Sequence, residues 1–275
     1  MRLHGCGLAL AATMSFALVA APAPAASQTV APRTIASPPA GNPPLVGGQR
    51  SVDGRDDTSV GGLFSGLVDD FRRLPSPSTI GILSAGALGA TVSRPFDDRV
   101  SAGLSGAGGL DGFMGPGRVI GGAYTQLGAA VATYAIGRAS GSPRTASLGA
   151  DVVRAQLLTQ TLTMGLKYAA DRTRPDGTSL SFPSGHTSTS FATATVLQRH
   201  LGWKAGVPAY ALAGYVAASR VQSEKHYLSD VVLGAAIGIV GGRTVTIGHG
   251  DARFAVAPTA APGGAGVSFT WLGGQ

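Results

Sequence analysis

Between Lys167 and Asp230 three short clusters of basic, histidine and hydroxyl residues interrupt apolar runs, and each internal spacing has a meaning on a helix. They read K-x6-R-P (Lys167, Arg174, Pro175), P-S-G-H (Pro183 to His186) and S-R-x5-H-x3-D (Ser219, Arg220, His226, Asp230). Residues four or seven apart share a helix face. Lys167 and Arg174 are thus expected to point the same way, with Pro175 stopping their helix. His226 and Asp230 are expected one turn apart, so that the carboxylate holds one imidazole nitrogen and the other faces outward. Ser184 reads both as a helix N-cap and as a donor to an anion. Three cations, two histidines, a carboxylate and a serine describe a pocket for a tetrahedral anion with a nucleophile and an acid beside it.

The rest of the chain supplies helices to carry these clusters. Residues 1–26 read as a cleavable signal peptide, with Arg2, an apolar run from Leu8 to Ala21, and small residues at Ala23-Pro24-Ala25-Ala26. Export to a bacterial periplasm or the cell envelope is expected. Residues 27–58 are rich in Pro, Ser, Thr, Gly and Arg without an apolar period and read as a disordered linker. Val60 to Leu74 is amphipathic, with Leu63, Phe64, Leu67, Val68 and Phe71 opposite Asp69, Asp70, Arg72 and Arg73, and is expected to dock on the domain. Apolar runs over 78–92 and Val119–Ile136 flank a glycine-rich loop from Asp97 to Arg118. Helices are then expected over about 147–170, from Pro183-Ser184 to about His200, from about Val207 to Ser219 and from about Tyr227 to Val240. In the tail, Thr244–Ile247, Arg253–Ala257 and Val267–Leu272 read as short strands.

Charge and cysteine content remove several classes. The formal charge is +7, from 21 basic and 14 acidic residues, but the basic residues are scattered, so no nucleic-acid partner is expected. Cys6, inside the leader, is the only cysteine, so the mature chain has no thiolate metal site, disulfide or cysteine nucleophile. The run at 119–136 approaches the roughly 20 residues of a transmembrane helix. Asp151, Arg154, Gln156 and Gln160 in the next helix are expensive in lipid, which favours a soluble or peripherally attached domain and leaves an integral membrane form open. His200 and His249, outside the motifs, read as satisfied structural histidines, and Glu224 and Lys225 as solvated. Phe182 and Tyr227 either line the pocket or pack behind it.

Over residues 119 to 242 the chain resembles the type 2 phosphatidic acid phosphatase (PAP2) superfamily, which also includes bacterial non-specific acid phosphatases and vanadium haloperoxidases; its three motifs are complete. The resemblance implies an all-α fold, a PAP2-like bundle of about six core helices over 59–242, here followed by a tail with short strands over 243–275. It implies a metal-independent phosphatase without cofactor, acting on a phosphate ester, with lipid phosphates among the candidates. His226 would attack phosphorus to give a phosphohistidine, with Asp230 fixing its tautomer. His186 would protonate the leaving alcohol and later activate water. Lys167, Arg174, Arg220, Ser184 and the backbone at Gly185 would hold the phosphate, arginine by its fork and lysine as a compact charge. The short connection from Asp176 to Phe182 implies an open mouth and a weakly specified alcohol. Two alternatives stand beside this reading. The same pocket holds vanadate in a haloperoxidase, against which the modest length weighs. A non-catalytic phosphate-binding envelope protein would not need every catalytic residue retained. The natural substrate and the oligomeric state are not legible.

Overall fold

The computed structural model describes residues 58–105 and 109–247, and the backbone of strands at 253–261 and 264–272. The expected leader, nearly all of the linker, Cys6 and His249 lie outside the described residues. Helix α1 (Val60–Arg73) leads to α2 (Pro77–Ser93) and, after a 3₁₀ turn at Arg94–Phe96, to three short helices, α3 (Asp97–Ser105), α4 (Asp111–Met114) and α5 (Pro116–Ile120). Five long helices follow: α6 (Ala123–Ala139), α7 (Pro143–Ala170), α8 (Gly185–Leu201), α9 (Trp203–Gln222) and α10 (Leu228–Val245). With α2 they make the six-helix core expected of an all-α bundle. β1 (Arg253–Ala261) and β2 (Gly264–Leu272) pair antiparallel, from Arg253 opposite Leu272 to Ala261 opposite Gly264.

Helix starts follow local chemistry. Ser76 and Ser142 each sit before a proline and accept from the backbone N–H three residues on, Thr79 at 3.1 Å and Thr145 at 3.4 Å. Helix α10 is the hub, packed against α8, α2 and α7. Its glycines set the closest approach: a β-carbon at Gly234 would lie 2.8 Å from the Ser184 carbonyl oxygen, and one at Gly238 2.2 Å from that of Ser188. Any side chain there would push α8 away, so glycine at one-turn spacing seats the start of α8 against the first turns of α10. Two apolar clusters fill the bundle. One gathers Val152, Leu158, Val196 and Val245, covered by Leu67, Phe71 and Leu74 at the end of α1. The other gathers Ala90, Leu233 and Ile237 with Phe182 against them, so Phe182 packs behind the site.

Several local expectations give way to tertiary partners. The run at 119–136 is broken at Gly121-Gly122 into α5 and α6. The segment after Asp97 is largely helical, and Asp97 is buried because Ser229 and Arg172 bind it. Helix α7 ends at Ala170, with Asp171 in the left-handed region at φ 39°, so Arg174 is not on that helix. Thr244 and Val245 finish α10 instead of starting a strand. Asp70, assigned to the solvent face of α1, is buried on α7. Arg154 reaches it at 3.5 Å and Asp151 at 2.6 Å, Arg73 adds a contact to Asp70 at 3.5 Å, and His200 meets Asp151 at 2.8 Å. This balanced knot occupies the end of the bundle opposite the motifs and accounts for the polar residues of α7 that weighed against a lipid setting.

Among the described residues one helix, Leu228–Val245, is long and apolar enough to cross a membrane by length and composition, and 72% of it is buried in the bundle. Helix α2 and residues 123–137 and 205–219 carry no Asp, Glu, Lys or Arg. Ile80, Leu88, Val92, Val131, Ile136, Val207 and Leu212 are exposed along them, forming an apolar belt about 22 Å tall at 1.5 Å per residue.

Candidate active site

Lys167 near the end of α7, Ser184, Gly185 and His186 at the start of α8, Arg220 near the end of α9, and His226 and Asp230 at the start of α10 all lie at one end of the bundle. The loops between them are stitched together. The Ser184 N–H donates to the Asp230 carbonyl at 3.0 Å, and the N–H groups of Lys225 and His226 donate to the Arg220 carbonyl at 3.1 and 3.2 Å. Arg174 joins from a turn, its N–H donating to the Thr178 carbonyl at 2.7 Å, and Lys225 binds Asp176 at 2.5 Å, tying this turn to the third motif. Lys225 is thus paired with Asp176 at the surface, where its side chain stays solvated as expected, and Glu224 is exposed.

Lys167 and Arg220 are buried and Arg174 is half-buried, without acids to match them among the described residues. Arg220 is 4% exposed, and its hydrogen bonds go only to Ser219, to Oγ at 3.4 Å and to the carbonyl at 3.5 Å. Arg174 has a buried Nε with no partner among the described residues. Lys167 is buried beside Gly185, whose added β-carbon would lie 4.0 Å from its Cε. Its Nζ donates to the carbonyls of Leu180 at 2.5 Å and Ser181 at 3.3 Å, so it braces the loop before Pro183 as well as contributing charge. Burial, then the Arg174 charge, pushes the Lys167 ammonium down to about 8. Burial and the neighbouring Arg118 and Arg174 likewise lower Arg220. Burying charge without a partner costs several kcal/mol, a cost offset when an anion enters.

The start of α8 adds donors. Ser184 occupies the N-cap, but its hydroxyl caps no backbone N–H and instead accepts from Thr187 Oγ1 at 3.0 Å. The first N–H groups of this helix are thus left for another acceptor, aligned with the helix dipole.

His226 is 4% exposed and lies just before α10, with Asp230 in its first turn. Nδ1 stands 3.6 Å from Asp230 Oδ2, slightly beyond a closed hydrogen bond. Asp230 is fully buried and receives Ser181 Oγ at 2.5 Å, the Tyr227 N–H at 2.8 Å and Arg172 at 2.8 Å. Although burial favours its neutral form, the His226 imidazole, the Ser181 hydroxyl and the Tyr227 N–H hold its carboxyl below the usual range. Burial lowers His226, opposed by Asp230, so its imidazole is neutral and nucleophilic near pH 7. His186 is half-buried, and burial, then Arg220 and His226, push it down to about 4, opposed by the Arg118 backbone. That Arg220, Arg174 and His226 all act on His186 marks a single charged neighbourhood. Among the described residues no three His, Cys, Asp or Glu side chains gather where they would hold a metal ion.

The motifs miss several members. Arg172 binds Asp97 and Asp230, each at 2.8 Å, and stacks over the Tyr227 ring at 4.1 Å, so Tyr227 supports this brace. Ser181 and Ser229 complete the shell around Asp230 and Asp97. Arg118 stands beside Arg220. Only Arg172, two residues before Arg174, had a local signal.

Comparison with known proteins agrees with this arrangement. Residues 149–253 match the model of the PAP2 superfamily. A lipid A 1-phosphatase of Porphyromonas gingivalis is 48% identical over 82 residues, 28% of this chain and 18% of that protein. A lipid A 4'-phosphatase of Helicobacter pylori is 32% identical over 93 residues, 30% of this chain and 47% of that protein. The chain thus spans less than half of either relative. Among solved structures, Aquifex aeolicus LpxE is similar with a TM-score of 0.47 and 22% identity, covering 54% of this chain and 93% of that one. A transmembrane PAP2-type phosphatidylglycerolphosphate phosphatase from Bacillus subtilis gives a TM-score of 0.48 and 20% identity, covering 67% of this chain and 92% of that one. Three complete motifs lie inside residues 149–253, the stretch that matches the PAP2 superfamily model, and their residues stand at one end of an all-helical bundle.

Proposed function

We propose that this protein is a phosphoric ester hydrolase of the cell envelope, acting on lipid phosphates or phosphomonoesters through a phosphohistidine intermediate and without a metal. The observation that carries the reading is the set of cations, Lys167 and Arg220 buried and Arg174 half-buried with an unpartnered Nε, with no carboxylate within ion-pair distance among the described residues, beside a neutral buried histidine. A phosphate ester dianion supplies the missing countercharge. Its oxygens take the arginine forks and the free N–H groups of α8, which also stabilise the charge of an in-line transition state. His226 Nε2 attacks phosphorus as the P–O bond to the alcohol breaks, and Asp230 stabilises the imidazolium. His186 gives its proton to the departing oxygen; the bound dianion raises its proton affinity from the low value of the free site. Water, activated by His186, then cleaves the P–N bond and releases phosphate.

The names of the two curated relatives support a lipid phosphate as substrate. The exposed apolar belt supports contact with the envelope membrane, in keeping with the peripherally attached or integral forms that the sequence leaves open. After membrane fractionation the protein is expected in the pellet; recovery in the soluble extract would remove that part of the proposal. For the chemistry, turnover of a chromogenic phosphate monoester in excess chelator is expected, with His226→Ala lowering it at least about 10³-fold, the scale of losing a nucleophile. Unchanged turnover in His226→Ala would sink the assignment. Halide oxidation after vanadate loading would favour the haloperoxidase alternative, whereas a phosphatase is only inhibited by vanadate.

A further inference from the structure

The residue that joins the first motif to the third belongs to neither. Ser181 is fully buried in the turn between α7 and α8, and each of its polar groups is engaged. Its N–H donates to the Arg172 carbonyl at 2.7 Å, its carbonyl accepts from Lys167 Nζ at 3.3 Å, and its hydroxyl donates to Asp230 Oδ2 at 2.5 Å. One residue thus touches the lysine of the first motif, the carboxylate of the third and the arginine that braces that carboxylate. The turn is held in an unusual shape. Leu180 lies in the left-handed region at φ 61°, uncommon for a residue with a side chain, and its carbonyl also meets Lys167 Nζ. Backbone of this kind persists where its surroundings fix it, and it gathers at functional sites.

Asp230 is pinned at both oxygens. Oδ1 takes Arg172 at 2.8 Å, and Oδ2 takes the Ser181 hydroxyl and the Tyr227 N–H, the latter at 2.8 Å. His226 Nδ1 is buried, has no hydrogen-bond partner among the described residues, and stops 3.6 Å from the same Oδ2. A charge-assisted N–H···O bond closes to about 2.7–2.9 Å. With the carboxylate held at both oxygens, the ring makes up that difference when it becomes an imidazolium. Resting on the phosphatase reading above, we infer that Ser181 is a positioning residue: its hydroxyl fixes the carboxylate edge on which the His226 imidazolium closes, and its carbonyl keeps Lys167 in register with that pair. The hydroxyl is committed to Asp230, so it acts through that residue and not on the phosphate. Without it Oδ2 keeps only the Tyr227 N–H, and the edge offered to the imidazolium is no longer fixed. The loss then falls on phosphoryl transfer to His226, while phosphate binding by the arginines and the α8 N–H groups is spared.

The test follows turnover of p-nitrophenyl phosphate by full-length protein in detergent, for wild type, Ser181→Ala, Ser181→Cys, Asp230→Asn and each Ser181 variant combined with Asp230→Asn. Ser181→Ala keeps the backbone that holds Lys167 and removes only the hydroxyl. It is expected to lower kcat about 10- to 100-fold, the worth of one hydrogen bond to a charged group, with KM changed less than about threefold. Ser181→Cys, close in size and a weaker donor, should fall between wild type and Ser181→Ala. In the Asp230→Asn background either substitution should cost less than about twofold more, because the group it acts through is gone. Full kcat in Ser181→Ala, a loss carried by KM, or the same fold-loss with and without Asp230→Asn would each overturn the inference. Should Ser181→Ala fold poorly, Ser181→Cys alone and with Asp230→Asn makes the same comparison. Failure of the phosphatase reading is distinguishable, because wild type would then turn over the ester no faster than His226→Ala.

Discussion

The two ends of the bundle bury charge in opposite ways. At the end away from the motifs, Arg154, Arg73 and His200 meet Asp70 and Asp151, so positive and negative groups are matched across α1, α7 and α8. At the motif end, Lys167, Arg174 and Arg220 crowd together, and the buried carboxylates Asp97 and Asp230 are instead taken up by Arg172. Burial alone therefore does not separate structural from functional charge. The separation lies in whether the fold supplies the counterion or leaves it to a ligand.

Removing one arginine from each end puts this contrast under the greatest strain. Arg154→Met should destabilise the chain by about 3–5 kcal/mol in denaturant unfolding, because it strands Asp70 and Asp151. Arg220→Met should cut kcat/KM by roughly 10²–10³ while leaving stability unchanged or raised, since an uncompensated charge is gone. Equal destabilisation by both would erase the distinction.

The far end also predicts a pH effect. Burial pushes the Asp70 carboxyl up to about 6 from 3.8, against the lowering by Arg154 and Arg73. With the folded value raised, the folded chain keeps a proton that the unfolded chain releases. The contribution is fully present below pH 3.8 and is lost as pH rises through 6, about 3 kcal/mol in all at 1.36 kcal/mol per pH unit. Asp70→Asn should flatten that slope in urea titrations between pH 4 and 7; an unaltered slope would mean that Asp70 does not titrate there.

Ligand linkage is the next smaller effect. Inorganic phosphate at 100 times its dissociation constant should stabilise wild type by about 2.7 kcal/mol, read as a rise in Tm. The rise should vanish in Arg220→Met and persist in Arg154→Met. The smallest effect concerns Lys167, whose ammonium lies at about 8 through burial and Arg174. Activity should fall above pH 8 as this charge is lost, and Lys167→Arg should move that alkaline limb upward.

The gathering of the motif residues was legible because each motif is locally compact: P-S-G-H names a helix start, and H-x3-D survives as a contact even though His226 precedes its helix. Arg174 reached the site by a route the spacing misjudged, through a turn after α7 had ended at Ala170. The bracing layer was illegible because its partners are far apart along the chain. Asp97 pairs with Arg172 and Ser229, and Arg154 finds Asp70, across separations that no periodicity encodes. Asp70 was misjudged because a hydrophobic face predicts which side packs, and an acid beside it is read as solvated until a cation across the interface is known.

Arg172 acts as a buckle between the segment at Asp97 and the carboxylate behind His226. Shortening or grafting the stretch around α3, which carries no motif residue, would unfasten Asp230 from outside. Such a chimera would keep every signature letter and still fall silent, so engineering by motif alone will misjudge which parts of this fold are expendable.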